Sequence, residues 1–438
     1  MARRAASEWS LPVLHLYFVW ALVIFDFHFF LAAKIAQPMV YLVYLGFPPL
    51  ILSMLLRAPT ILVTAKRWVW DPPMLTLVIL GLVTLPLAAN KEFARLSFQS
   101  LLIYYAITVG TAVYIKTARQ AIPIVMMLVL QFAWYGMFAQ TRGLVPWHST
   151  LSNYDGFGGL MVMGAGLCYW FAVGSRNKRL KMFLYALTAY CVLGVVASFA
   201  RAAFLSLVVL LGWTWVRSPR KLATGLGIFA ALILVVVGAS LIFDPGFFWN
   251  EITSAFAEGT EEGTGAQRWE LWKVGFKVWA MSPIFGVGGN NFGAFAATHF
   301  EYGQLEAFPN PSFLYGYNLH NAYMQILSEF GLLGICALGF AFWNFSKRNR
   351  ELRSPEASRI WDATSGGRFE LRYLAYGLEA ANLANMLGGM FYASLFMPWF
   401  YVIWAANTVL WALTRPPAAP QPARGSRRPV HGLPAGVP

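Results

Sequence analysis

Three side chains in this sequence are of the right type, and isolated enough, to do chemistry. His320 lies just where a long apolar run begins, and Arg201 and Arg268 each stand apart from any basic cluster. An imidazole held neutral can take a proton from a hydroxyl. A guanidinium presents a planar fork of donors to phosphate oxygens, and keeps its charge where an ammonium would lose it. Together these groups suit a reaction on an anionic, phosphate-bearing substrate carried on a lipid.

The local pattern around His320 sharpens that reading. Asn318 is a good N-cap, so the spacing predicts a helix over Leu319–Trp343 with His320 in its first turn. A helix N-terminus disfavours the imidazolium, and its free N–H groups can face an anion. Asn321 and Tyr323 follow within the same turn and are candidate substrate ligands. Upstream, Gly286-Val287-Gly288-Gly289-Asn290-Asn291 is either a simple turn or a nest of backbone donors for phosphate. It is not a Walker motif, because no Gly-Lys-Ser/Thr follows.

These residues must be positioned by membrane helices. The 438 residues are 58% hydrophobic and 12% charged, and the mean hydropathy is +0.55. Apolar runs near the length of a bilayer crossing recur from end to end, continuous rather than alternating. The predicted fold class is therefore an all-α polytopic membrane protein with about 12 transmembrane helices. One large loop, Asp244–Asn318, separates spans nine and ten. The expected organisation is residues 1–243 as spans one to nine, 244–318 as the loop with an amphipathic helix, 319–414 as spans ten to twelve, and 415–438 as a disordered Pro-, Gly- and Arg-rich tail. The first span is expected over Leu11–Ala33 and the last two within Tyr373–Leu413.

Charge gives the orientation. With the N-terminus inside and the spans alternating, all but eight of the 33 Lys and Arg residues fall in inside segments. This puts both termini in the cytoplasm and the large loop in the periplasm. It also accounts for the formal charge of +14 by orientation and attraction to anionic lipid, so nucleic acid is not an expected partner. Cys168, Cys191 and Cys336 fall inside predicted spans, each as a small buried hydrophobe, with neither disulfide nor metal expected.

Charge and length disagree with plain spans in two places. Between Lys181 and Arg217 the only charge is Arg201, and the flanks on both sides are basic. The segment must be a short hairpin whose tip, Ser198-Phe199-Ala200-Arg201, sits at or below the outer interface. An arginine there is by default a functional hypothesis. In the large loop, eight acids surround three basic residues, so Arg268 belongs to no basic patch. It starts a predicted helix, Gln267–Met281, whose tryptophans favour the interface. Asp26, His28, Glu329 and Glu379 are scattered along predicted spans, and are expected to make structural pairs rather than a proton relay.

With these residues in view, the chain resembles the O-antigen ligase and polymerase superfamily of bacterial inner-membrane proteins. Ser198-Phe199-Ala200-Arg201-Ala202-Ala203-Phe204 resembles the family's serine-plus-arginine turn. Arg268-Trp269, with Pro283-x-x-Gly286-x-Gly288, resembles its arginine helix and glycine turn. His320-Asn321-x-Tyr323, with Glu329-Phe330-Gly331-Leu332-Leu333-Gly334, resembles the signature at the loop's end. The resemblance implies a glycosyltransferase that moves a glycan from undecaprenyl diphosphate to a lipid A core or a glycan acceptor. Arg201 and Arg268 would bind the diphosphate, His320 would act at the acceptor, and no cofactor or metal would be needed. A polymerase or a protein O-oligosaccharyltransferase would share the same signature. A lipid-linked glycan transporter is the alternative from another class, but it has no need of a base beside the phosphate site.

Overall fold

The computed structural model describes residues 9–35, 37, 42–56, 71–139, 144–145, 151, 154–242, 246, 263–392 and 395–415. The predicted disordered tail, most of the N-terminal segment, and the acidic first part of the large loop lie outside the described residues. Helices α1 (Leu11–Phe25), α2 (Phe27–Lys34), α3 (Leu42–Leu56), α4 (Pro72–Thr84), α5 (Lys91–Tyr114) and α6 (Ala118–Phe138) come first. Then follow α7 (Tyr154–Gly174), α8 (Lys178–Ser198), α9 (Arg201–Arg217) and α10 (Lys221–Ile242). The large loop contributes α11 (Gly263–Met281) and α12 (Phe292–His299). The chain closes with α13 (Ala322–Leu352), α14 (Pro355–Ser365), α15 (Leu371–Gly388) and α16 (Pro398–Leu413). No strand forms among the described residues; a single bridge pairs Ser175 with Phe369.

Helix α7 is the centre of the bundle. It is apolar and glycine-rich, and nearly all of its residues are buried. A helix that is hydrophobic all round has neighbours on every side. Here they include α8, α9 and α15. Polar N-caps punctuate the bundle where the sequence offers them. Asn90 caps α5, Thr117 makes a capping box with Gln120 at α6, and Asn177 caps α8.

Five helices, α5, α6, α7, α8 and α13, are long and apolar enough to cross a membrane. The bent pair α1 and α2 makes a sixth if it counts as one span. The expected twelve spans are therefore not reached by length and composition among the described residues. Several of the remaining apolar helices have 13 to 17 residues, as in α3, α4 and α9. At 1.5 Å per residue these fall short of a hydrocarbon core about 30 Å thick.

Two predicted spans are broken. The first bends by 64° at Asp26, which takes a left-handed conformation with φ 46°. The carbonyls freed there are not left bare. The Tyr135 hydroxyl donates to Ile24 O at 2.9 Å and to Asp26 Oδ2 at 3.1 Å, and Trp134 Nε1 donates to Phe25 O at 2.9 Å.

The second break shapes the candidate site. Helix α13 starts three residues later than predicted, runs on to Leu352, and is interrupted at Gly331, with φ 64° and ψ −159°. The chain from Pro283 to Phe292 fills the gap. Val287 N donates to Ser328 O at 3.1 Å and Gly288 N to Glu329 O at 2.9 Å. In return Leu332 N donates to Pro283 O at 2.9 Å and Leu333 N to Ile284 O at 3.3 Å. The loop thus supplies the hydrogen bonds that the helix gives up, a condition for irregular backbone in a membrane. The buried Glu329 carboxylate completes the junction, accepting from Asn290 N at 2.8 Å and Phe292 N at 3.4 Å.

The large loop also has its own apolar core. Leu271, Val274 and Val278 of α11 pack with Phe292, Leu314 and Leu319. It is pinned to the turn before α5, where Asn90 N donates to Asn291 Oδ1 at 2.7 Å and Asn90 Nδ2 to the Tyr315 hydroxyl at 2.7 Å. At the other end of the bundle, the C-terminus of α7 meets the segment before α15, where Glu370 N donates to Gly174 O at 2.9 Å. Arg176 pairs there with Asp362 at 3.1 Å.

The three scattered acids, Asp26, Glu329 and Glu379, each have partners within the protein. Glu379 pairs with Arg217 and Arg353 and accepts from Asn349. Arg348 is buried in α13, where its Nη1 donates to Asp71 Oδ2 at 2.9 Å and to Thr408 Oγ1 at 2.6 Å. Cys168 and Cys191 are buried, but Cys336 is exposed on α13, contrary to the expectation for a small buried hydrophobe.

The junction yields a test. A Cβ at Gly331 would lie 2.3 Å from Ile284 O, in a backbone conformation reserved for glycine. Gly331→Ala should destabilise by more than about 3 kcal/mol through strain plus clash. Gly339→Ala, whose Cβ meets nothing within 4 Å, should be tolerated. Thermal unfolding of the two detergent-purified variants checks this; equal stability would mean that the loop does not clasp the break.

Candidate functional site

The candidate site forms where the first turn of α7, the turn into α9, the start of α11 and the segment before α13 converge. Arg268, in α11, donates from Nη2 to Oδ2 of Asp155 at 2.6 Å. Asp155 is in the first turn of α7 and is 5% exposed, whereas the Arg268 side chain retains 22% exposure. A guanidinium carries five N–H donors, and this bond uses one nitrogen of three. The arginine is therefore oriented by a buried carboxylate while keeping donors for a ligand.

Helix α11 is docked against His320 by the residue before it. Trp272 Nε1 donates to Leu319 O at 3.0 Å. Leu319 also packs on Gly275, where an added Cβ would come within 2.9 Å of Leu319 Cδ2. Arg268 lies one turn before Trp272, so the same contact that seats α11 brings the guanidinium toward the imidazole.

His320 is not in the first turn of the helix, as the sequence pattern predicts, but ahead of it. Its φ is 46°, uncommon for a residue with a side chain. Asn318 stabilises this turn by accepting the His320 N–H at 2.9 Å. The N-cap of α13 is Asn321, whose side chain accepts from Tyr323 N at 2.9 Å and Met324 N at 3.0 Å. Ala322 N donates to Gly389 O at 2.7 Å. The first N–H groups of α13 are thus occupied, and the expectation of a phosphate-binding edge at this helix terminus is corrected. The same correction applies to the glycine turn as a phosphate nest. Its donors serve Ser328, Glu329 and the Glu329 carboxylate.

Asn321 and Tyr323 each make a hydrogen bond within the scaffold. The Asn321 carbonyl caps the helix, and the Tyr323 hydroxyl donates to Met386 O at 2.8 Å. The Tyr323 bond ties the start of α13 to the end of α15.

Arg201 is the first residue of α9 and is half-buried. The preceding turn is tight, with Phe199 at φ 51° and Ser198 Oγ accepting from Ala200 N at 3.2 Å. It rests on Gly158, three residues beyond Asp155. A Cβ there would lie 2.6 Å from Ser198 Oγ and 2.8 Å from the Ala203 Cβ. Small residues at Ala200 and Ala203 are what let the arginine turn sit against the helix that carries Asp155.

The charge state of His320 follows from its surroundings. Burial is the largest influence and lowers its pKa below the usual value; the Arg268 cation lowers it further, and Asp155 partly opposes both. The imidazole is therefore neutral near pH 7, for reasons other than the helix terminus that the sequence suggested.

The fold and site define a multi-pass helical membrane protein with a carboxylate-oriented arginine and a neutral histidine at one end of the bundle. The O-antigen ligase family model matches residues 186–339 of the chain. That stretch runs from α8 through the loop helices into α13, and contains Arg201, Arg268 and His320 but not Asp155. The curated proteins give no match.

Because burial and a nearby cation both disfavour protonation, modification of His320 by diethyl pyrocarbonate, which needs the neutral ring, should have a midpoint below pH 6.5. Arg268→Gln removes the cation and should move the midpoint upward, while the burial contribution remains. Peptide mass spectrometry at His320 reads both. A wild-type midpoint above 6.5 would contradict this account of the ring's environment.

Proposed function

We propose that this protein is an O-antigen ligase-like glycosyltransferase. It would move a glycan from undecaprenyl diphosphate to a lipid A core or similar acceptor, at the periplasmic face of a bacterial inner membrane. The observation that carries the proposal is the Asp155–Arg268 pair beside a neutral His320, within and next to the stretch that matches the family. In this reading about twelve spans lie in the membrane, the shorter apolar helices included. Residues 244–318 are periplasmic, and the charge bias puts both termini in the cytoplasm.

The proposed chemistry balances as follows. The acceptor hydroxyl attacks the anomeric carbon of the donor sugar, and the bond from that carbon to the diphosphate oxygen breaks. The electron pair leaves with undecaprenyl diphosphate, and the acceptor proton passes to the neutral imidazole of His320. Attack opposite the leaving group inverts the anomeric centre. Arg268 and Arg201 stabilise the charge that grows on the diphosphate, which is the task a metal ion would otherwise do. Asp155 orients Arg268, and Asn321 and Tyr323 hold the His320 segment in place.

Transfer to a growing glycan chain or to a protein hydroxyl would use the same groups, so the acceptor is read from the assay. With purified protein, undecaprenyl diphosphate-linked glycan and no added metal, release of undecaprenyl diphosphate only in the presence of lipid A core is expected. Release with chain extension would instead make the protein a polymerase. His320→Ala should lower turnover by about 100-fold or more with unchanged thermal stability. Arg201→Lys should lower it roughly tenfold, because an ammonium cannot replace a bidentate fork. If no acceptor gave release and labelled lipid-linked glycan crossed proteoliposomes, the protein would be a transporter.

A further inference from the structure

At the end of α7 opposite Asp155, a cavity of about 930 Å³ opens between α7, α8, α9 and α10. Its nearest α7 wall residues, Tyr169, Trp170 and Val173, lie at least 14 residues from Asp155, or roughly 21 Å along the helix. It is therefore separate from the candidate catalytic site. The walls are apolar, with Val192 and Leu193 of α8, Leu211 of α9 and Ile228 of α10. Tyr185 and Leu193 are exposed on the flank of α8, so the cavity borders the surface that a bilayer covers.

The mouth is different. Lys181 stands at the start of α8, and Arg220 in the turn between α9 and α10. Among the described residues, no carboxylate pairs with either. The one carboxylate in the lining, Glu370, has Arg372 3.9 Å away. The lining also carries a short chain of hydroxyls: Ser218 Oγ is 2.6 Å from Thr224 Oγ1, which is 3.4 Å from the Tyr169 hydroxyl. The lining thus combines two cations, a set of hydroxyls and hydrocarbon. An anionic phospholipid offers the matching parts: phosphate, glycerol esters and acyl chain.

We propose that this cavity binds one anionic membrane phospholipid, its phosphate held between Lys181 and Arg220 and an acyl chain lying along α8 and α10. The charge complementarity at the mouth commits the site to an anionic headgroup. The lateral opening commits it to a lipid rather than a soluble phosphate. Basic residues crowd this end of the bundle, from Arg176 to Lys181 and from Arg217 to Lys221, and such juxtamembrane clusters attract anionic lipid. What distinguishes the cavity from that general attraction is its enclosed volume and apolar walls, which make one lipid a ligand.

Native mass spectrometry of the full chain in detergent, with phosphatidylglycerol or phosphatidylcholine added, tests this. One phosphatidylglycerol should remain bound under activation that strips phosphatidylcholine, with a preference of roughly thirtyfold for two cationic contacts. Arg220→Glu, at an exposed residue, should abolish the preference. Gly227→Trp should exclude both lipids; Gly227 lines the cavity and a Cβ there meets nothing within 4 Å, so the variant should fold with its thermal stability intact. Equal retention of the two lipids by the wild-type protein would overturn the proposal. So would phosphatidylglycerol retention that both variants leave unchanged, or loss of the lipid to excess inorganic phosphate, which would assign the mouth to a free anion.

Discussion

The structure depends on the backbone exchange between the broken helix α13 and the chain from Pro283 to Phe292. A helix in hydrocarbon cannot leave carbonyls unsatisfied, because no water is present to take them. Gly331 interrupts α13, the loop repairs the interruption with four backbone hydrogen bonds, and the Glu329 carboxylate of α13 accepts from two N–H groups of the loop. The exchange works in both directions. The loop completes the helix, and the helix gives the loop a fixed seat. Gly286 and Gly331 face each other across the junction, and neither position has room for a side chain.

The site follows from that seat. Once Pro283–Phe292 is anchored, α11 immediately before it and α12 immediately after it are constrained, and the small apolar core around Leu271, Phe292 and Leu319 can close. Leu319 then engages Trp272 and Gly275, which brings Arg268 toward His320. The buried Asp155 takes the guanidinium, and the arginine turn of α9 lies on Gly158 one turn further along α7. Each candidate side chain is held by an element that is itself held by packing, the condition for a preorganised electrostatic site.

Much of this was legible in the residues. Arg201 and Arg268 stood out because each was a lone cation where its surroundings gave no reason for one. His320 stood out because it met the start of an apolar helix. The hairpin of α8 and α9 was legible because 35 residues with basic flanks must turn back on themselves. Asp155 was missed. It is a single acid at the N-terminal end of a glycine-rich helix, and the same argument that marked Arg201 would have marked it, since an isolated carboxylate in an apolar helix needs a partner. That partner, Arg268, lies 113 residues away, and no spacing rule links them.

Composition and hydropathy by themselves determined that this is a helical membrane protein, because burying backbone in lipid allows few alternatives. Single polar residues in apolar surroundings marked the candidate site for the same reason. The tertiary structure decided which acid oriented which arginine, and that the glycine turn held a protein carboxylate rather than a phosphate. It also decided that His320 precedes its helix and is neutral through burial and a neighbouring cation. These outcomes depend on which donors and acceptors meet across long separations in the chain. A backbone N–H in a turn has the same sequence whether it faces a ligand or Glu329, and only the packing of α13 against the loop tells the two apart.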